Sequence, residues 1–314
     1  MPVFQFPLGS SPEALAFRPN GKLLVNLLAP DASTYQIDVQ EGCAKKVTTI
    51  SGINALYGIA ETQPDQFYVA GGRINLREST REIGSFAVWL LNMTSFDEAG
   101  APQVSKISDF PKATINGMWT LDADAGLILA TDSTNGVIYR LDVNTGENEI
   151  TIDDPVLKIP DGAAVALGPN GIETRDGYLY ATNLAAGTFV RVPIDAQGVQ
   201  TGPGEVVARN PDGVVGGDDW VFDAAGNAFV GENPNSWVSL IRNGSDTPKI
   251  ITANATDSVL KGPTSLRFGV SEGDMAKGRL YIGDNGGIAQ YRSGNFTQGG
   301  GVYYVDVADL DVYQ

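Results

Sequence analysis

Asn170-Gly171-Ile172-Glu173-Thr174-Arg175-Asp176-Gly177-Tyr178-Leu179-Tyr180-Ala181-Thr182 decides the fold. A short apolar run meets an Asp-Gly pair that suits a tight turn, and a second apolar burst follows. That is the pattern of a hairpin of buried strands. The same wording recurs along the chain. Glu13-Ala14-Leu15-Ala16-Phe17 leads through Pro19-Asn20-Gly21 to Leu23-Leu24-Val25. Tyr57-Gly58-Ile59 leads to Phe67-Tyr68-Val69, and Asn116-Gly117-Met118-Trp119 leads to Leu127-Ile128-Leu129. Asp218-Asp219-Trp220-Val221-Phe222 leads to Ala228-Phe229-Val230, and Pro263-Thr264-Ser265 leads, after an insertion, to Leu280-Tyr281-Ile282.

With Glu13, Tyr57, Asn116, Asn170, Asp218 and Thr264 as equivalent points, the steps are 44, 59, 54, 48 and 46 residues. Each step holds four strands of about five or six residues with their turns. A third strand of aliphatic, aromatic and basic character follows in several units: Val137-Ile138-Tyr139-Arg140, Thr188-Phe189-Val190-Arg191 and Trp237-Val238-Ser239-Leu240. Helical periodicity is hard to find. The pattern predicts an all-β fold, a six-bladed β-propeller of four-stranded antiparallel blades around a central channel, with residues 1–314 as one domain. Val302-Tyr303-Tyr304-Val305 is expected to close the ring beside Val3-Phe4-Gln5-Phe6, which protects the sheet edges.

Composition limits the chemistry. The net charge of −16 argues against a nucleic-acid partner and against an anionic membrane surface. Histidine is absent, which excludes Ser-His-Asp hydrolysis, Cys-His proteolysis and His-ligated zinc. The lone Cys43 allows no intrachain disulfide, and a catalytic role for it is not expected. The start, Met1-Pro2-Val3-Phe4-Gln5-Phe6, does not read as a signal peptide. No apolar run approaches the roughly 18 residues of a membrane span. A cytoplasmic protein is the expectation, with the sequons at Asn92, Asn243, Asn254 and Asn295 as chance matches on polar loops. The charged stretch from Gly71 to Glu82 reads as a long surface loop of the second unit, or as a lid over the channel. Gly299-Gly300-Gly301 reads as a turn and not a phosphate loop, because no Lys-Ser/Thr or helix follows.

In a propeller the innermost strand of each blade lines the channel, and its first residues sit at one mouth. There Glu13, Asn116, Asn170 and Asp218 (or Asp219) would offer an all-oxygen set from four units. Hard cations such as Ca²⁺ or Mg²⁺ take such ligands. The same residues beside glycine also serve as turn formers.

The repeats resemble the gluconolactonase/regucalcin (senescence marker protein) superfamily of six-bladed propellers, to which strictosidine synthase is related. The resemblance covers essentially the whole chain. It rests on Gly168-Pro169-Asn170-Gly171-Ile172, on Asp218 before Asp223-Ala224-Ala225-Gly226-Asn227-Ala228-Phe229-Val230, and on Glu13 opening the first unit. It implies a divalent metal on Glu13, Asn170 and Asp218, with Asn116 as a further metal or substrate contact. Gly117 stands where that family usually has an acidic residue near Asn116. The wording of Asn170–Tyr180 and of Gly216-Gly217-Asp218-Asp219-Trp220 is similar to a fungal branch of secondary metabolism that includes hetero-Diels–Alderases.

Two enzymes and one non-enzyme fit this reading. The first is a fungal tailoring cyclase that performs a hetero-Diels–Alder type cycloaddition on a small apolar substrate in the channel. It needs positioning and hydrogen-bond polarisation and no cofactor. Its catalytic groups would be Asn116, Asn170 and Asp218, its substrate walls Tyr57, Met118, Trp119, Trp220 and Trp237. The apolar residues beside the strand starts serve equally as blade-to-blade core. The second is a lactonase with Ca²⁺ or another divalent cation on Glu13, Asn170 and Asp218, and Asp219 or Glu232 as base. The third is a non-catalytic binding propeller. The oligomeric state is open.

Overall fold

The computed structural model describes residues 1–211, 216–252 and 259–309; Asn254 lies outside them. Six sheets of four antiparallel strands form a ring, and each innermost strand lies against those of the neighbouring blades. The innermost strands are Ser11–Phe17, Ala55–Glu61, Ile115–Asp122, Pro169–Arg175, Trp220–Phe222 and Pro263–Phe268, in blades 1 to 6. The second strands are the apolar bursts: Leu23–Ala29, Gln66–Gly72, Leu127–Asp132, Tyr178–Asn183, Ala228–Glu232 and Arg279–Asp284. The insertion in the sixth unit is a short helix, Glu272–Lys277, capped by the Ser271 hydroxyl.

The ring closes where the sequence places its closure. Pro2–Gln5 is the outermost strand of blade 6 and pairs antiparallel with Gly301–Asp306. The glycine run lies at this seam. A Cβ on Gly299 would come within 2.2 Å of the Phe6 carbonyl, and one on Gly300 within 2.4 Å of the Asp284 carbonyl. The run is therefore glycine because two backbones cross there.

Packing explains why the strands read as continuous apolar bursts. Among the described residues the buried apolar side chains form six clusters, one between each pair of adjacent blades. Each blade buries both of its faces, so the inner strands lose the alternation of a half-exposed sheet. Leu23–Ala29 and Leu127–Asp132 are buried at every position.

The heads of five inner strands break the regular pairing; blade 5 keeps its register. In blade 1, Pro12 pairs with Leu27 and Ala14 with Asn26, which leaves Glu13 as an extra residue. In blade 2, Tyr57 and Gly58 lie unpaired between Leu56 and Ile59. Asn116–Gly117 and Asn170–Gly171 do the same in blades 3 and 4, and Thr264 in blade 6. These are bulges, which re-aim a side chain that strict alternation would send into a neighbouring blade. The glycine in each Xaa-Gly pair has a steric cause. A Cβ on Gly58 would lie 2.3 Å from the Asn116 carbonyl, one on Gly117 2.2 Å from the Asn170 carbonyl, and one on Gly171 2.4 Å from Asp219 Oδ1. Each head thus rests on the backbone or side chain of the next.

This makes a sharp comparison possible. Gly117→Ala must push two inner strands apart and is expected to cost about 3 kcal/mol or more. Gly52→Ala has open space around it and only a positive φ to strain, so it is expected to cost about 1 kcal/mol. Urea titrations of both variants check the order.

Candidate axial site

Four bulges, and the segment before Trp220, bring the heads of five inner segments to one end of the channel. Glu13, Tyr57, Asn116, Asn170 and Asp218 are all between 3% and 9% exposed, so their polar atoms are nearly dehydrated. Asp218 stands two residues before its strand. Its backbone N–H donates to the Gly231 carbonyl at 2.8 Å, and its own carbonyl accepts from the Thr182 hydroxyl at 2.5 Å. Its carboxylate accepts from Asn233 Nδ2 at 2.8 Å and from the Asn170 side chain. Tyr57 is held from behind, where Asn26 Nδ2 donates to its carbonyl at 2.8 Å. Thr264 is turned to structural use: its hydroxyl donates to the Pro12 carbonyl at 3.0 Å and joins blade 6 to blade 1.

Burial sets the protonation of this cluster. It drives the Glu13 carboxyl well above its ordinary range, Asp218 adds repulsion, and Arg81 opposes the shift. Burial likewise lifts Asp218 to about 7, against the hydrogen bonds from Asn233 and Asn170. The Tyr57 phenol is pushed up to about 12, again by burial first, so it stays a donor at neutral pH. Arg81 comes from the charged stretch, and Tyr57 shares a hydrogen bond with it.

A second polar layer lies further along the channel. Asp219 accepts from Ser265 Oγ at 2.9 Å and forms an ion pair with Arg267 at 3.1 Å. Glu173 faces the same arginine and accepts from the Phe222 backbone N–H at 3.4 Å; burial raises its carboxyl to about 7. At the far mouth an apolar groove of about 280 Å³ is lined by Phe17, Ile59, Met118, Trp119, Arg267 and Phe268.

The placement of the expected residues is therefore mixed. Glu13, Tyr57, Asn116, Asn170 and Asp218 come together at the head. The expected walls separate. Trp220 is 2% exposed, packs edge-on against Phe189 and Phe222 at 4.7 Å, and donates Nε1–H to the Gly171 carbonyl at 2.9 Å. It is core between blades 4 and 5. Met118 packs in the core between blades 2 and 3 and, with Trp119, lines the groove at the far mouth, away from the head. Trp119 lies at the far mouth, with Nε1 donating to Thr174 Oγ1 at 3.0 Å. Both follow Gly117 on a strand that has resumed regular pairing, which turns them to the interblade faces. Trp237 opens the third strand of blade 5, two strands out from the axis. Of the two expected bases, Asp219 is engaged by Arg267 and Ser265. Glu232 is buried and accepts from Asn210 Nδ2 at 2.9 Å. Cys43 is exposed on the outermost strand of blade 1.

Three participants escaped the sequence reading. Arg81 lay in the stretch read as a surface loop or a lid, Glu173 inside the quoted hairpin, and Asn233 just past the second strand of blade 5. Glu173 had a usable signal, a carboxylate inside an inner strand. For Arg81 the lid reading of its stretch pointed to the channel without singling out the residue; Asn233 had no signal, because only the ring brings it to the axis.

No family model matches the chain. A candidate hetero-Diels–Alderase of Phoma sp. is 26% identical over 307 residues, covering 90% of this chain and 86% of that protein. The candidate hetero-Diels–Alderase asR5 of Sarocladium schorii is 26% identical over 307 residues, covering 87% and 75%. Among solved structures, the calcium-binding protein regucalcin of Agrobacterium tumefaciens superposes with a TM-score of 0.64 at 14% identity, over 96% of this chain and 94% of its own. A luciferin-regenerating enzyme gives a TM-score of 0.68 at 13% identity, over the same shares. The chain is a six-bladed propeller and shares the fold of these two structures. In sequence it resembles the two hetero-Diels–Alderase-named proteins along most of its length.

Glu173 offers a test of the channel electrostatics. Its carboxyl is raised from 4.5 to about 7, so the folded state holds a proton that the unfolded chain releases earlier. Stability is then lost as pH rises through that window, by up to about 3 kcal/mol. Glu173→Gln is expected to remove this loss: its stability relative to wild type rises between pH 4.5 and pH 8, as read by thermal melts across that range.

Proposed function

We propose that the chain is a cyclase that catalyses a hetero-Diels–Alder type cycloaddition at the axial head. The observation that carries this reading is the character of the cluster: buried hydrogen-bond donors with no nucleophile–base pair. Tyr57 stays protonated, Glu13 is driven towards its neutral form, Asn116 and Asn170 carry amides, and Arg81 stands beside them. Such groups polarise the carbonyl of a heterodiene and lower the energy of its acceptor orbital. The olefin partner adds in one concerted step, forming two bonds with no proton to move, so a strong acid or base is not required. The remaining work is to hold two partners in one reactive pose, where preorganised donors in a dehydrated site act strongly. The names of the two sequence relatives support the same chemistry.

The experiment is a cycloaddition assay with an electrophilic heterodiene, such as an ortho-quinone methide or an enone, and an unactivated olefin. Product and enantiomeric excess are followed by chiral chromatography with EDTA present. The expected result is acceleration and a single dominant enantiomer, unaffected by EDTA. Tyr57→Phe should lower kcat by about 10²-fold, the usual loss for one removed donor to a developing oxyanion. Racemic product at the buffer rate, together with EDTA-sensitive hydrolysis of simple lactones, would replace this reading by the metal-dependent hydrolase.

A further inference from the structure

The axial head contains two buried carboxylates, Glu13 and Asp218, with Asp219 close enough to add its charge. Buried anions in such a place need protons or a compensating cation. The fold's resemblance suggests a divalent metal there, but this chain delivers another cation to the same place. Between the second and third strands of blade 2 the stretch read as a loop folds into a two-stranded hairpin, Ile74–Asn75 against Thr80–Arg81. Its base is fixed at several points. Asn54 grips both the N–H and the carbonyl of Ile74, at 2.8 and 2.9 Å; the Arg73 N–H donates to Ser85 Oγ at 2.8 Å; and Arg73 pairs with Glu82. Ile74 and Leu76 pack on the core between blades 2 and 3. At the tip Arg77 reaches Gly294, between the second and third strands of blade 6, so the hairpin spans the head of blade 1.

This frame aims Arg81 at the channel. Its guanidinium meets Tyr57 and acts on Glu13, yet no carboxylate of the described residues lies within 4.0 Å to form an ion pair. Arg81 Nε is buried and has no hydrogen-bond partner among the described residues. A buried N–H without a partner is costly, so such groups call for an explanation. Among the described residues no three Asp, Glu, Cys or His side chains gather here, so Glu13 and Asp218 are the carboxylates on offer and asparagine amides would have to complete any metal shell.

We propose that Arg81 is the resident cation of the axial site: it takes the place of a divalent metal and holds its Nε–H ready for a carbonyl or anionic oxygen of the bound molecule. A doubly charged ion on Glu13, Asn170 and Asp218 would face the guanidinium at close range in a dehydrated site, where repulsion is strong. This assignment does not depend on which reaction the site performs.

The test is calorimetric titration of the full chain with calcium chloride, beside Arg81→Gln and Arg81→Lys, each first shown folded by circular dichroism. Wild type and Arg81→Lys, which both keep the charge, are expected to bind no calcium below about 1 mM. Arg81→Gln is expected to bind at least about ten-fold tighter than wild type. Adding Glu13→Gln to Arg81→Gln should abolish that gain. Micromolar binding by wild type would overturn the proposal, and this arm holds even if a variant fails to fold. Arg81→Gln no tighter than wild type, or Arg81→Lys as tight as Arg81→Gln, would overturn it equally.

Discussion

The inner strands of this propeller pass so near the axis that backbone meets backbone, and most of the molecule follows from that. Gly58 abuts the Asn116 carbonyl, Gly117 the Asn170 carbonyl, and Gly171 the Asp219 side chain. No Cβ fits at these contacts. Each glycine sits in a bulge, and the bulge breaks the alternation that would otherwise commit the preceding side chain to an interblade core. Tyr57, Asn116 and Asn170 are freed to the axis by the same contact that packs the ring. Stability and site geometry therefore share one cause.

The site's electrostatics descend from this geometry. Five polar heads converge where water is largely excluded, so burial is the first cause of the raised carboxyls of Glu13 and Asp218 and of the raised Tyr57 phenol. The result is a cluster whose phenol stays protonated at neutral pH and whose two carboxyls ionise less readily than free ones. Behind it, Asp219, Ser265 and Arg267 tie blade 5 to blade 6, and Glu173 reaches towards them from blade 4. The two layers differ: Asp219 in the inner one has its partners already, while in the outer one Arg81 Nε has none among the described residues. The hairpin of blade 2 adds the positive charge that the heads themselves lack.

The periodic wording of the chain carried the architecture. Apolar bursts, turns at matching places and steps of 44 to 59 residues correspond to the six blades, and Val3–Phe6 lies beside Gly301–Asp306 as its composition implied. The head residues were legible too, because each precedes or opens a burst. The walls were not. Trp220 and Met118 follow their heads closely and look equally able to stand beside them, yet both return to regular pairing and pack between blades, and Met118 reaches a groove only at the far mouth.

Local sequence thus determined what repeats locally: strand lengths, turns, the Xaa-Gly heads and the number of blades. Those features depend on neighbours a few positions apart. Which polar groups share a dielectric cavity was decided only by closure of the ring. Glu13 and Asp218 are 205 residues apart, and Arg81 meets them from a hairpin whose charged composition suggests solvent. Burial and charge act through space over a few ångströms, so their outcome belongs to the tertiary structure.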